Sequence, residues 1–236
     1  MNIDILAIIP ARSGSKGIPD KNIKKLGNIP LLGWTANAVK SANLENMLTI
    51  LSTDSEQYAD IGRELGLNVP FIRPMHYSED HSGTLEVIHH ALDWFYQSYH
   101  YKPKMLMVLQ PTSPFRDKTV ITQAVQLIKD KNADAIIGCK QIFRDLTTLF
   151  ICKNQYLSAL DNSKDKQTSR QGLEPLLTPD GSMYLIKTKI FEKHNSFYPP
   201  HSAPLITSKL TNIDIDDDED WQIAEGIVNN GQLETN

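Results

Sequence analysis

Arg12, Lys16 and Lys21 fall within ten positions of one another, separated by Ser13, Gly14, Ser15 and Gly17 and followed at once by Asn22. Cations in a glycine-containing loop suit a polyphosphate: the side chains neutralise its charge, and glycines let backbone N–H groups approach the oxygens. The loop follows an apolar run, Ile3–Ile9, that ends at Pro10. This is the carboxyl end of a strand, where open α/β sheets bind ligands. Neither common phosphate motif is present. Walker A fails because Pro19 stands five residues after Gly14, and Gly14 and Gly17 are too far apart to open Gly-x-Gly-x-x-Gly. A solvated basic turn is the plain alternative for this loop taken alone.

A second constellation lies near the other end, in Asn212-Ile213-Asp214-Ile215-Asp216-Asp217-Asp218-Glu219-Asp220. With Ile213 and Ile215 turned into the core of a strand, Asp214 and Asp216 would share its other face. Two carboxylates about 4 Å apart repel by about 4 kcal/mol at an effective dielectric near 20, and a divalent cation removes that cost. Asp217 to Asp220 read as an acidic helix start. An EF-hand is excluded because Glu219 occupies the position where its loop needs glycine.

Two further loops carry candidate ligands. Leu109-Gln110-Pro111-Thr112-Ser113-Pro114-Phe115-Arg116 follows an apolar strand, so Gln110 and Thr112 should face the same crevice as Arg12. Arg73-Pro74 and Glu79-Asp80-His81-Ser82-Gly83-Thr84 precede a helix, where backbone groups with Ser82 and Thr84 could read a base edge or a phosphate. Simple N-capping is the alternative for Ser82. His76, His81, His89 and His90 lack metal-ligand spacing, and no Ser or Cys triad is discernible. The chemistry indicated is metal-assisted nucleotidyl transfer.

The elements that would position these residues alternate between two periods. Ile3–Ile9, Met47–Ser52, Met105–Leu109 and Ala135–Gly138 are apolar runs without polar alternation, suited to strands buried on both faces of a parallel sheet, and Met183–Lys187 is expected as a further core strand. Tyr58, Ile61 and Leu65 mark a helix capped near Thr53-Asp54-Ser55. Leu85, Ile88, Leu92 and Phe95 mark a second, Val120, Ala124, Leu127 and Ile128 a third, and about Asp218 to Val228 a fourth. Ile213–Ile215 is expected as a last strand. The alternation implies a doubly wound three-layer α/β sandwich in one domain. Between about 140 and 179 the periodicity fades, which suggests a lid or interaction arm.

Bulk composition narrows the classes. In 236 residues, 40% hydrophobic and 22% charged, a single globular α/β domain is expected. A formal net charge of −4 gives no general affinity for nucleic acid. No run approaches the roughly 18 apolar residues of a membrane span, and Asp4 interrupts any signal-like start. Cys139 and Cys152, the two cysteines, are expected as buried free thiols of a cytoplasmic protein.

Taken together, the motifs resemble those of the acylneuraminate cytidylyltransferases, the CMP-sialic acid synthetases. The likeness starts at Ile9-Pro10-Ala11-Arg12-Ser13-Gly14-Ser15-Lys16-Gly17-Ile18-Pro19-Asp20-Lys21-Asn22 and runs through Ser52-Thr53-Asp54, Arg73-Pro74 and Gln110 to Arg116. It continues through Ser169-Arg170-Gln171, Asp180-Gly181-Ser182-Met183-Tyr184 and Ile213-Asp214-Ile215-Asp216, in order along nearly the whole chain. The resemblance implies a Rossmann-like α/β/α fold of the nucleotide-diphospho-sugar transferase type with an inserted dimerisation arm, acting as a homodimer with Mg²⁺. It implies that the anomeric hydroxyl of a nine-carbon 2-keto sugar acid attacks the α-phosphate of CTP, giving a CMP-sugar for surface glycans.

Carried onto this sequence, the resemblance assigns Arg12, Ser13, Gly14, Lys16, Lys21 and Asn22 to the triphosphate and ribose. Arg73, Ser82 and Thr84 go to cytosine, and Gln110, Thr112, Arg170 and Gln171 to the sugar acid. Asp214 and Asp216 would hold the metal, with Arg12, Lys21 and Asp216 closest to the chemistry. The departures fall on the sugar side: Asp145-Leu146-Thr147 where sialic acid members often carry a lysine, Asp180-Gly181 for Asn-Gly, and Gly172-Leu173-Glu174-Pro175 after Arg-Gln. The resemblance thus implies CTP together with legionaminic, N-acetylneuraminic or pseudaminic acid. The rivals are a Kdo cytidylyltransferase, whose usual Arg-Leu-Pro-Gly-Lys-Pro loop is missing here, and a non-catalytic nucleotide-binding paralogue.

Overall fold

Strand β1 (Ile5–Pro10) shows how the sheet is built. Ile5, Ala7 and Ile9 enter one apolar cluster while Leu6 and Ile8 enter another, so the strand is buried on both faces. In the computed structural model, which describes residues 3–78, 83–160, 175–210 and 212–231, β1 lies between β4 (Met47–Ser52) and β5 (Met105–Val108), parallel to both. The remaining strands of the sheet are β6 (Ala135–Ile142), β9 (Leu176–Lys187) and β10 (Ser202–Ile206), in the order β10-β6-β9-β5-β1-β4. The sheet is not wholly parallel, as the apolar runs suggested. β9 lies antiparallel to both β5 and β6.

Helices cover both faces. On one side pack α1 (Leu31–Ala42), α2 (Glu56–Glu64) and α4 (Lys118–Asp130), through Leu32, Ala36, Tyr58, Ile121 and Ala124. On the other pack α3 (Thr84–Tyr99) and α5 (Thr188–His194), through Ile88, Leu92, Phe95 and Phe191. The three-layer sandwich expected from the alternation is present. A third cluster joins Ile18, Leu31, Phe115 and Ile215 to Trp221 and Ala224 of α6 (Asp218–Asn229). A small hairpin, β2 (Lys25–Leu26) with β3 (Ile29–Pro30), contributes Leu26.

Three expectations need correction. Ile213–Ile215 is not a strand: the backbone N–H of Ile215 donates to the Thr112 carbonyl (2.8 Å), and the Ile215 carbonyl accepts from Lys21 Nζ (2.5 Å). Both backbone groups of Ile215 are therefore used in tying loops together. The described parts of the stretch between 140 and 179, residues 140–160 and 175–179, also hold more regular structure than their composition suggested. β6 and β9 continue past the sheet as a two-stranded ribbon, pairing Cys139 with Pro179 and Ile142 with Leu176. Beyond it lie a 3₁₀ turn at Leu146–Thr148 and a hairpin of β7 (Phe150–Lys153) and β8 (Tyr156–Ala159). Finally, Cys139 is buried but Cys152, on that hairpin, is exposed.

Candidate nucleotide-transfer site

The loop after β1 is held from several directions. Ser13 donates its N–H to Asp54 Oδ1 (2.8 Å) and its hydroxyl to Oδ2 (2.9 Å). The Asn22 amide donates to the Arg12 carbonyl (3.1 Å), and the Tyr58 hydroxyl donates to Asp20 (3.1 Å). Gly14 takes φ +69°, the left-handed region that a side chain resists. Gly17 is required for a different reason: a Cβ there would collide with the carbonyl oxygen of Asp216. That close approach brings the first loop against the acidic segment. Lys21, largely buried, completes the junction with a 3.5 Å ion pair to Asp216 Oδ1 beside its bond to Ile215.

These elements enclose an open cavity of about 370 Å³ at the carboxyl end of the sheet. Arg12, Lys16, Lys21 and Asn22 line it from the first loop, Arg73 and Tyr77 from the segment before α3, and Thr84 and Val87 from α3. Gln110, Pro111 and Thr112 supply another wall, and Asp216 is the one carboxylate among the described lining residues. Residues anticipated from four separate stretches of sequence therefore meet in one place. Ser13 and Gly14 are not part of the lining; Ser13 faces Asp54 instead. Ser82, Arg170 and Gln171 lie outside the described residues.

Charge and burial are unequal around this cavity. Arg73 is buried, donating Nη1 to the Ser52 carbonyl (3.2 Å) and Nε to Ser78 Oγ (2.9 Å). Burial holds its pKa below the ordinary value, Asp54 opposes that fall, and Arg12 adds to it. Behind Arg73, His90 packs edge-on against Phe71, and its Nδ1 has no partner among the described residues. Burial, then the charge of Arg73, lowers its pKa.

Beneath the Gln110 wall lies a buried polar cluster that sequence reading did not single out. The fully buried Arg116 donates to the carbonyls of Gln110 (2.6 Å) and Ser182 and to the Thr35 hydroxyl (3.0 Å). Burial brings its pKa down to about 10, against the opposing charges of Asp180 and Asp214. Asp180, itself buried, accepts from Ser182 N–H (3.0 Å), Ser182 Oγ (2.6 Å) and Thr207 Oγ1. Between Asp180 and Ser182, Gly181 adopts φ +75°, and a Cβ there would stand 2.8 Å from both Gln110 Oε1 and Asp214 Oδ2. The sequence did contain a signal: an arginine at the end of a proline-rich loop that leaves an apolar strand needs buried acceptors.

Asp214 is the more enclosed of the two acids. Burial raises its pKa, a hydrogen bond with Thr112 works the other way, and Asp216 raises it further. Its Oδ1 is buried with no hydrogen-bond partner among the described residues. An unmatched carboxylate oxygen beside a second carboxylate is the donor set a hard divalent cation accepts, so the pair fits such an ion.

A smaller cavity of about 240 Å³ shares Thr84 and Gln110 with the first and is otherwise lined by Leu85, Tyr184, Ser196, Phe197 and Tyr198. The hydroxyls of Tyr184 and Tyr198 lie 3.5 Å apart, and burial raises the Tyr184 pKa so that it stays a neutral phenol. Phe197 and Tyr198 sit between α5 and β10, a stretch without any motif, and were not anticipated.

The family model described as Cytidylyltransferase matches residues 6–226. The chain belongs to the cytidylyltransferase family. It is therefore an enzyme, a nucleotidyltransferase. This cytidylyltransferase is 31% identical over 236 residues to the CMP-N,N'-diacetyllegionaminic acid synthase of Legionella pneumophila, covering 95% of this chain and 96% of that one. It is 32% identical to the N-acylneuraminate cytidylyltransferase of Escherichia coli O18:K1:H7, with 95% of this chain matching 52% of that longer protein. It is 24% identical to the pseudaminic acid cytidylyltransferase of Campylobacter jejuni over 93% and 94% of the two chains. In fold it resembles a CMP:2-keto-3-deoxy-manno-octonic acid synthetase solved with CTP (TM-score 0.67, 12% identity, 97% and 99% coverage). A 4-diphosphocytidyl-2C-methyl-D-erythritol synthase from Anaerococcus prevotii is similar as well (TM-score 0.64, 15% identity, 95% and 98% coverage). Among the described residues no helix is long and apolar enough to cross a membrane.

Proposed function

We propose that this cytidylyltransferase transfers CMP from CTP to the anomeric hydroxyl of a nine-carbon 2-keto sugar acid and releases pyrophosphate. The observation that carries this reading is the convergence of Arg12, Lys16, Lys21 and Arg73 with Gln110, Thr112 and Asp216 around one cavity at the carboxyl end of the sheet. Arg12 and Lys16 neutralise the triphosphate, Asn22 lies beside the ribose and α-phosphate, and Arg73 with Thr84 faces the base. The sugar hydroxyl forms the new bond to the α-phosphorus as the bond to pyrophosphate breaks, and the hydroxyl proton passes to solvent.

Asp214 and Asp216 would hold Mg²⁺, which when bound would offset phosphate charge and lower the pKa of the attacking hydroxyl. Lys21 holds Asp216 and the first loop in register. The acceptor occupies the second cavity, where Gln110 meets its polar groups and Tyr184, Phe197 and Tyr198 offer an aromatic floor with hydroxyls at its edge. Such a floor suits an acylamino sugar. Legionaminic acid is favoured, because the legionaminic relative combines 31% identity with a match over 96% of its length, against 24% for the pseudaminic relative and a match to 52% of the N-acylneuraminate one.

The β7–β8 hairpin leaves Phe150, Tyr156 and Leu157 exposed, at 49%, 79% and 74%. Apolar side chains at that exposure support an arm that pairs with a second copy, and hence a homodimer. The protein acts in the cytoplasm, where CTP is available.

The test is pyrophosphate release from CTP and Mg²⁺ with legionaminic, N-acetylneuraminic, pseudaminic and Kdo acids offered in parallel. Turnover with a nine-carbon acid is expected. Turnover with Kdo alone would replace the acceptor, and CTP binding without any turnover would favour a non-catalytic nucleotide binder. Sedimentation of the same preparation checks the dimer.

A further inference from the structure

Asp54 is absent from the cavity lining among the described residues, yet it holds the loop that lines it. Both carboxylate oxygens are used on one residue: Oδ1 accepts the Ser13 N–H at 2.8 Å and Oδ2 the Ser13 hydroxyl at 2.9 Å, across 41 positions of sequence. Asp54 is well placed to act as an anchor. It stands between the end of β4 and the start of α2, where Ser55 caps the helix. The neighbouring carbonyls are tied down too: that of Ser52 accepts from Ala11 N–H (3.0 Å), and that of Thr53 from Arg73 N–H (2.7 Å). Ser13 stands between Arg12 and the left-handed Gly14. Fixing its backbone therefore sets where the Arg12 side chain departs and how the chain turns towards Lys16.

We infer that Asp54 is a positioning residue for the triphosphate: it does not touch the nucleotide but straps Ser13 so that Arg12 and Lys16 are presented in their binding geometry. A carboxylate this near a phosphate site would repel the ligand were its oxygens not already engaged by donors. Preorganising the loop lowers the ordering cost that nucleotide binding must otherwise meet. The same carboxylate also favours the charge of Arg73, so a purely electrostatic role is the alternative. Two variants separate the readings. Asp54→Asn keeps an acceptor for the Ser13 N–H and offers an amide N–H to the Ser13 hydroxyl while removing the charge; Asp54→Ala removes both.

This inference rests on the CTP reading, so the first measurement is calorimetric binding of CTP to the wild-type protein. Absence of binding there would overturn the nucleotide reading and this inference with it. Given binding, Asp54→Ala should weaken CTP by about tenfold or more, as expected for loss of two charge-assisted hydrogen bonds, with the KM for the sugar acid within about twofold. Asp54→Asn should recover CTP affinity to within about threefold of wild type. Equal weakening in both variants would overturn the strap in favour of charge, and wild-type affinity in Asp54→Ala would overturn it outright. Should the alanine variant fail to fold, Ser13→Ala, which loses only the hydroxyl contact, is expected to lower affinity about threefold; no change there would count equally against the strap.

Discussion

The proposed nucleotide half and the proposed acceptor half of the site are built on different principles. The nucleotide half is a short contiguous loop, Arg12 to Asn22, braced by polar bonds to Asp54, Tyr58 and the Ile215–Asp216 segment. The acceptor half draws Gln110, Tyr184 and Tyr198 from three distant stretches, set over a buried arginine and an aromatic floor. The first can recognise any ligand with a triphosphate and one base. The second reads shape through packing, where a single ring or acyl group decides fit. The difference explains how related enzymes could share one donor and differ in acceptor: charge recognition tolerates little change, and packing tolerates much.

The largest effect expected is at the seam between the halves. Asp216→Ala should lower turnover by about a thousandfold or more, while CTP affinity measured calorimetrically without metal falls far less. An active Asp216→Ala would break the assignment of that acid to the chemistry. Next comes the keystone of the acceptor half. Arg116→Met leaves the carbonyls of Gln110 and Ser182 without their donor and Asp180 without its counter-charge, so unfolding in denaturant should show a loss of about 3–5 kcal/mol. A loss under about 1 kcal/mol would show the cluster to be dispensable.

Tyr198→Ala sharpens the comparison directly. It should raise the KM for the sugar acid by about tenfold and leave that for CTP unchanged, because Tyr198 lines only the second cavity. A matching rise for CTP would merge the two halves. The smallest effect is at His90, behind Arg73. Its folded pKa lies below 6.5, so the unfolded chain takes up the proton first as pH falls. The stability associated with neutral His90 is present above 6.5 and is lost as pH drops through that value and the lower folded one. Melting temperature against pH should therefore fall less steeply on the acid side in His90→Phe than in wild type.

The two halves also differed in how far they could be read from sequence. The first loop was legible because its cations, glycines and amide are adjacent, and α2, α3, α4 and α6 because a repeating apolar face survives in each. α1 was missed since it opens at Pro30 with no side-chain cap, and α5 because seven residues carry too little period. β10 escaped because Pro204 interrupts it, which only an edge strand allows. Ile213–Ile215 has a strand's alternation, and Ile215 is buried as expected; what was invisible is that Asp214 is enclosed while Asp216 is exposed, and that the backbone bonds of Ile215 go to Thr112 and Lys21. Tyr184 and Tyr198 come together only through tertiary folding, and no local spacing announces them.

The continuation of β6 and β9 beyond the sheet has a practical consequence for exchanging parts between relatives. The arm is not a detachable module, since its two stems are the upper ends of central core strands. A chimera that imports another arm should be joined above the Ile142–Leu176 pair. Cut points lower down would slip the ladder near the irregularity between Ile137 and Cys139, and would carry Asp180 and Gly181 away from Gln110. The arm can be exchanged, then, only if the stems keep their native register.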